Sequence, residues 1–195
     1  TKADTGRIGK YFPDNHTSFQ TYLDMYSITA NGSFDANDEK IKNVVPIMNE
    51  MEQMSISDLK SKKGYWDRID FFYMELPNWT KMYLLTGEEK WLDKLRALYN
   101  DRKAELYDEE TGLFYRDKNY IFDANATYNP NGDGSNQKIS PNGKKILWSR
   151  GNGWAMGALA KVLQDLPDDR VDDRKEYEAV FKKMAATLIQ VQGED

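Results

Sequence analysis

The chain has 195 residues, 39% hydrophobic and 30% charged, with a formal net charge of −5, which suffices for one domain with a sizeable core. An acidic balance without a basic block argues against a nucleic-acid partner, and no apolar run approaches membrane-spanning length. The absence of cysteine excludes disulfides and cysteine-ligated zinc, and the single histidine, His16, leaves one place for a Ser-His-Asp centre.

In chain order the pattern is helical. Thr1-Lys2-Ala3-Asp4 has no signal-peptide pattern, and the compartment stays open. Asn15 to Ile28 carries Phe19, Tyr22, Leu23 and Tyr26 at helical spacing, before a turn at Asn31-Gly32-Ser33. Asp35 to Met54 sets Ile41, Val44, Val45, Met48 and Met51 on one face, with Pro46 marking a kink or a later start. Ser55 to Gly64 reads as a polar linker. Arg68 to Leu85 is the next helix, stopped by Thr86-Gly87. Glu88 to Tyr107 follows, with Trp91, Leu95, Leu98 and Arg102 in register and two acids suited to a helix start.

Tyr107 to Ile121 breaks the pattern, and Gly112 to Asp117 reads as short, aromatic and extended. Asp123 to Asn142, rich in Asn, Gly, Ser and Pro, is a long loop or lid. Trp154 to Gln164 and Asp173 to Gln192 are the last two helices, joined through Leu166-Pro167-Asp168-Asp169. No strand pair and no domain boundary stands out, so the chain is all-α. About six helices in successive hairpins build either an isolated bundle or part of an α/α toroid.

Ile146 to Gly157 departs from ordinary helix composition, with Trp148, Arg150, Asn152, Trp154 and three glycines in one short stretch. Gly is costly inside a helix, so the stretch reads as a loop that delivers Trp148, Arg150 and Trp154 to one place and then opens a helix. Flat aromatic faces beside a guanidinium suit a sugar that carries a carboxylate. The competing reading is a tryptophan-rich edge of the core with a surface ion pair.

Trp148-Ser149-Arg150-Gly151-Asn152-Gly153-Trp154, preceded by Asn142-Gly143-Lys144-Lys145, resembles the signature of the unsaturated glucuronyl and rhamnogalacturonyl hydrolases, glycoside hydrolase families 88 and 105. Asp70-Phe71-Phe72-Tyr73-Met74-Glu75-Leu76-Pro77 is similar to that family's segment around its catalytic acid/base. The resemblance makes Asp70 the catalytic residue and places Met74 in the same pocket. Arg68 stands where the family usually has tryptophan, and Trp66 lies further upstream. Asp14 to Tyr22 resembles a second family segment, whose Asp contacts the sugar near the catalytic one, although Asn15 and Phe19 replace the family's Asp and Gly. Arg116 and Asp117 match an Arg-Asp pair after Leu-Phe and read as a structural ion pair.

Other readings stand beside these. Asp70 can be an acid that starts a helix. His16 reads as a surface or hydrogen-bonding residue rather than a base. A helix N-terminus lowers a carboxyl pKa, so an acid at Asp70 needs an opposing influence: burial among Tyr, Trp and Met, or a second carboxylate at Asp14.

The resemblance implies an (α/α)6 barrel of six hairpins, of which residues 1–195 hold about half as a partial domain. It implies hydrolysis of oligosaccharides ending in a 4,5-unsaturated uronic acid, with Asp14, Met74, Trp148, Arg150 and Trp154 as substrate-binding residues and no metal or organic cofactor. No nucleic acid and no membrane is expected as a partner, and the open barrel edges suggest self-association. The alternatives are another α/α-toroid carbohydrate enzyme, an epimerase or lyase, or an inactive helical binding or scaffold fragment.

Overall fold

The computed structural model describes residues 9–30, 33–62 and 66–192. The expected turn at Asn31-Gly32 and the linker's end at Gly64 lie outside them. Seven α-helices run through the described residues: α1 (Pro13–Thr29), α2 (Val45–Gln53), α3 (Ile56–Ser61), α4 (Phe71–Thr86), α5 (Lys90–Leu106), α6 (Ser149–Asp165) and α7 (Val171–Val191). None of them is long and apolar enough to cross a membrane.

Local chemistry explains most boundaries. Pro46 falls in the first turn of α2, where a missing N–H costs nothing, so it marks a later start rather than a kink. The expected linker from Ser55 instead contains α3: Ser55 accepts a bond from the Asp58 N–H, and Asp58 answers to the Ser55 N–H. That reciprocal cap satisfies two donors that a short helix otherwise leaves bare. Gly87, in the left-handed region at φ 70°, closes α4. The stretch expected to be extended, Gly112 to Asp117, holds β2 (Leu113–Phe114), and it pairs with β1 (Tyr107–Asp108), which was not expected; Tyr107 faces Phe114 and Asp108 faces Leu113.

Helix α1 buries His16, Phe19, Gln20, Leu23 and Tyr26, while Tyr22 is 45% exposed. The buried stripe thus includes two polar residues and excludes the expected Tyr22. Helix α4 is the centre. Phe71, Phe72, Leu76, Trp79 and Met82 are all buried, and the helix packs on α1, α5 and α6. A helix buried on all sides needs apolar residues all round rather than on one stripe.

Contacts between helices set a direction. His16 meets Glu75 and Asp24 meets Lys81, so α1 and α4 are parallel. Tyr73 lies beside Trp154 and Lys81 pairs with Asp165, so α4 and α6 are parallel too. The row α1–α4–α6 is an inner layer. Helices α5 and α7 return outside it, each packed on its own inner partner, and α2 and α3 lie against α5. This alternation of inner and outer helices is that of an α/α toroid, and the fold is all-α apart from the small hairpin.

Candidate active site

Because the inner helices are parallel, their N-terminal ends share one end of the molecule. Asp14 lies in the first turn of α1, Asp70 is the residue that precedes α4, and Arg150 lies in the first turn of α6. Met74 and Trp154 follow Asp70 and Arg150 by four residues, one turn deeper on the same helix faces.

The stretch around Arg150 is not a loop. Helix α6 begins at Ser149 with Trp148 as its cap residue, so Arg150, Gly151, Asn152 and Gly153 are helical. Two of its features answer to packing rather than turning. A Cβ on Gly151 would stand 2.6 Å from the Trp148 ring and 2.8 Å from Ile69, so α6 approaches the entry of α4 too closely for any side chain there. Asn152 is buried and brackets Phe114 in β2, accepting from its N–H at 2.8 Å and donating to its carbonyl at 3.0 Å. The hairpin is thereby fixed to α6, and the Ile69 N–H donates to the Arg116 carbonyl at 2.9 Å, which joins the segment after β2 to the entry of α4.

A cleft of about 590 Å³ opens at this end, lined by Arg68, Arg116, Tyr120 and residues 146–150, which include Trp148 and Arg150. The Arg150 guanidinium lies 4.5 Å from the centre of the Trp148 ring. Of the residues named from sequence, Trp148 and Arg150 line the cleft wall. Asp70 is half-buried and feels Arg68, Arg116, Asp14 and Arg150 electrostatically. Met74 and Trp154 lie deeper: Thr17 donates to the Met74 sulfur at 2.6 Å, and Trp154 packs on Tyr73 with ring centres 4.7 Å apart.

Asp70 makes no side-chain capping bond, so a helix-starting role would rest on its charge beside the N-terminus of α4 alone. Burial raises its carboxyl pKa above the ordinary value; Arg68, Arg116 and Arg150 oppose the rise, and Asp14 adds to it. The raised value shifts the Asp70 carboxyl toward its protonated form.

Sequence reasoning passed over three features. Arg116 forms the expected pair with Asp117, at 3.7 Å, but it also faces the cleft, as do Arg68 and Tyr120. His16 is buried rather than on the surface, hydrogen-bonded to the equally buried Glu75. Burial pushes His16 down, yet the charge and hydrogen bond of Glu75 outweigh it and hold the imidazole above its usual value; Glu75 is raised in turn, chiefly by burial. Finally, Pro77 inside α4 leaves the Tyr73 carbonyl without its helical N–H partner. Gln20 on α1 donates to that carbonyl at 2.6 Å and accepts from Lys161 on α6 at 2.6 Å. A proline four residues after Tyr73 was a legible signal for an orphaned carbonyl; its partner, Gln20, was not.

A row of inner helices with outer helices returning behind it, gathering an aspartate, arginines and tryptophan at one end, belongs to the class of α/α-toroid folds. Within that class the chain belongs to Glycosyl Hydrolase Family 88, whose family model matches residues 2–195. It is 34% identical over 131 residues to an unsaturated 3S-rhamnoglycuronyl hydrolase of Formosa agariphila, a match covering 67% of this chain and 32% of that protein. A glycosyl hydrolase family 88 structure from Bacteroides vulgatus superposes with a TM-score of 0.76 at 30% identity, covering all of this chain and 51% of the other. A structure described as a polysaccharide lyase superposes with a TM-score of 0.75, also at 30% identity, over 99% of this chain and 50% of that one. The chain thus spans about half the length of these solved structures and less of the curated relative.

Proposed function

We propose that this site removes a terminal 4,5-unsaturated uronic acid from oligosaccharides of the kind that polysaccharide lyases leave. The observation that carries the reading is Asp70, half-buried with a raised carboxyl pKa, at the same helix ends as Arg150 and Trp148. Arg150 binds the uronate carboxylate as a two-pronged donor and Trp148 shapes the sugar subsite. Asp14 contacts the sugar near Asp70, and Met74 and Trp154 form the deeper wall. The protonated Asp70 carboxyl delivers its proton to C4 of the vinyl ether, and positive charge develops at C5. Water adds at C5 and returns a proton to the Asp70 carboxylate. The hydrate then opens, and the neighbouring sugar leaves C1 without direct displacement there. One carboxyl serves as acid and then base, unlike the paired carboxylates of ordinary glycosidases. The name of the Formosa agariphila relative supports an unsaturated uronyl end joined to rhamnose.

The test is the ultraviolet absorbance of the conjugated uronide. Incubating the chain with an unsaturated disaccharide should make that absorbance decay. A second reading, lyase action, is favoured by the neighbour described as a polysaccharide lyase; it would make absorbance appear from the intact polymer instead. No change with either substrate would leave the chain a binding or scaffold domain.

A further inference from the structure

Helix α1 has no side-chain cap at its N-terminus, so the position of its first turn depends on contacts with other elements. Asp14 stands exposed in that turn, and His16, two residues on, is buried. The His16 Nδ1 meets Glu75, which follows Asp70 by five residues on α4, and its Nε2 meets the Lys10 carbonyl at 2.7 Å. Phe19 stacks on the imidazole with ring centres 4.5 Å apart, and Trp66 stands edge-on at 6.5 Å. Asn78 of α4 donates to the His16 carbonyl at 3.1 Å. The start of α1 is thus held by the helix that Asp70 opens, and the Asp14 charge acts on the Asp70 carboxyl across the same joint.

That joint requires one proton. A carbonyl only accepts, so Nε2 carries a hydrogen, and a neutral imidazole then offers a lone pair at Nδ1. A carboxylate is also only an acceptor, so the two side chains bond only with a proton between them. The charge acting on His16 is that of Glu75; the Lys10 ammonium and the Tyr11 hydroxyl of the preceding segment are engaged with Glu50 of α2. Without the proton, a buried carboxylate faces a lone pair and the contact turns repulsive.

We propose that His16 and Glu75 are positioning residues for the hydrolysis: their shared proton holds Asp14 in place against Asp70, and its loss lets the first turn of α1 shift and the rate fall. The inference rests on the proposed function and adds a pH-dependent part to that site. Burial lowers His16, but the charge and hydrogen bond of Glu75 outweigh it, so the proton leaves above the ordinary histidine value of 6.5. Two events then act on the alkaline side. Asp70 loses the proton it delivers, which lowers kcat/KM by roughly one decade per pH unit. Loss of the shared proton adds a separate fall of about tenfold or more, the scale of a misplacement on the order of an ångström.

The test is the pH profile of uronide consumption, with circular dichroism at each pH so that rates refer to folded protein. His16 is the chain's only histidine, so one imidazole signal in a nuclear magnetic resonance titration reports its proton. The wild-type profile should steepen beyond the single slope at the pH where that signal titrates. Glu75→Gln sets an amide N–H against Nδ1 at every pH and should keep the single slope without the extra fall. Glu75→Ala should lower kcat/KM by about tenfold or more in the wild-type background, and much less beside Asp14→Ala, which removes the group being positioned. A single slope in the folded wild type, an extra fall that persists in Glu75→Gln, or costs of Glu75→Ala and Asp14→Ala that simply multiply, overturns the inference while the uronate reading stands. No consumption of the uronide at any pH removes the functional reading and the inference with it.

Discussion

In the proposed mechanism Asp70 carries the chemistry and Arg150 the recognition. Asp70→Asn keeps the side chain's size, and since Asp70 makes no capping bond, stability should change by less than about 1 kcal/mol. Turnover of the unsaturated uronide should fall by roughly a hundredfold or more, because the amide has no proton to transfer. Arg150→Ala should instead raise KM by roughly tenfold or more with a smaller effect on kcat. Near wild-type turnover by Asp70→Asn would remove Asp70 from the mechanism.

A second residue-scale prediction concerns the buried His16–Glu75 pair. The Nε2–H of His16 donates to the Lys10 carbonyl at 2.7 Å, so the Nδ1 contact with Glu75 contains one shared proton. Both pKa values are raised, and the folded chain therefore keeps that proton where the unfolded chain releases it. The stabilisation is complete below the ordinary histidine value of 6.5 and is lost as pH rises through the folded value. Denaturant titrations should show stability falling on the alkaline side, by up to about 1.4 kcal/mol per pH unit for one proton. Glu75→Gln keeps a donor for Nδ1 and should flatten that slope; an unchanged slope would assign the alkaline loss to other groups.

At the scale of elements, the parallel packing of α1, α4 and α6 is held by polar contacts in an otherwise apolar layer. Gln20 repairs the carbonyl that Pro77 orphans and reaches Lys161 across the third helix. Gln20→Ala leaves the Tyr73 carbonyl bare and should cost about 1–3 kcal/mol. Pro77→Ala restores the N–H that this carbonyl lacks, so the double substitution should cost clearly less than the sum of the two single ones. Strict additivity in a denaturation cycle would show that Gln20 does not compensate for the proline. The same layer sets the position of Trp154, since Tyr73 packs on Trp154 while its carbonyl accepts from Gln20.

At the scale of the whole molecule, apolar side chains stand exposed on the first and last helices. Ile28 is 84% and Met25 48% exposed on α1, and Ile189 and Val191 are 71% and 70% exposed on α7. Neither helix is covered on that side by another described element, and such surfaces favour association. Sedimentation should show self-association of the chain at micromolar concentration, and Met25→Lys with Ile28→Lys should reduce it. A monomer at all concentrations would show that these faces are tolerated in water.

Periodicity sufficed for the existence and order of the long helices, because burial of one face imposes a repeat of three and four residues. The Trp148–Trp154 motif, together with Asp70 and Met74, was enough to indicate the family, since these local runs keep their residue types wherever the chain folds. Other features depended on partners distant in sequence. The start of α6 at Ser149 was hidden because Gly151 answers to Ile69 and the Trp148 ring, which close on it only after packing. Arg116 read as half of an ion pair with its neighbour because its second setting, among Tyr120, Trp148 and Arg68, exists only once β2 is pinned to Asn152. The burial of His16 could not be read from α1 alone, because the group that makes it tolerable, Glu75, lies on another helix. Sequence by itself thus determined the long helices and the family; tertiary structure decided which of the charges share one cleft, because electrostatic coupling depends on distance in space and on burial, and neither is a local property of the chain.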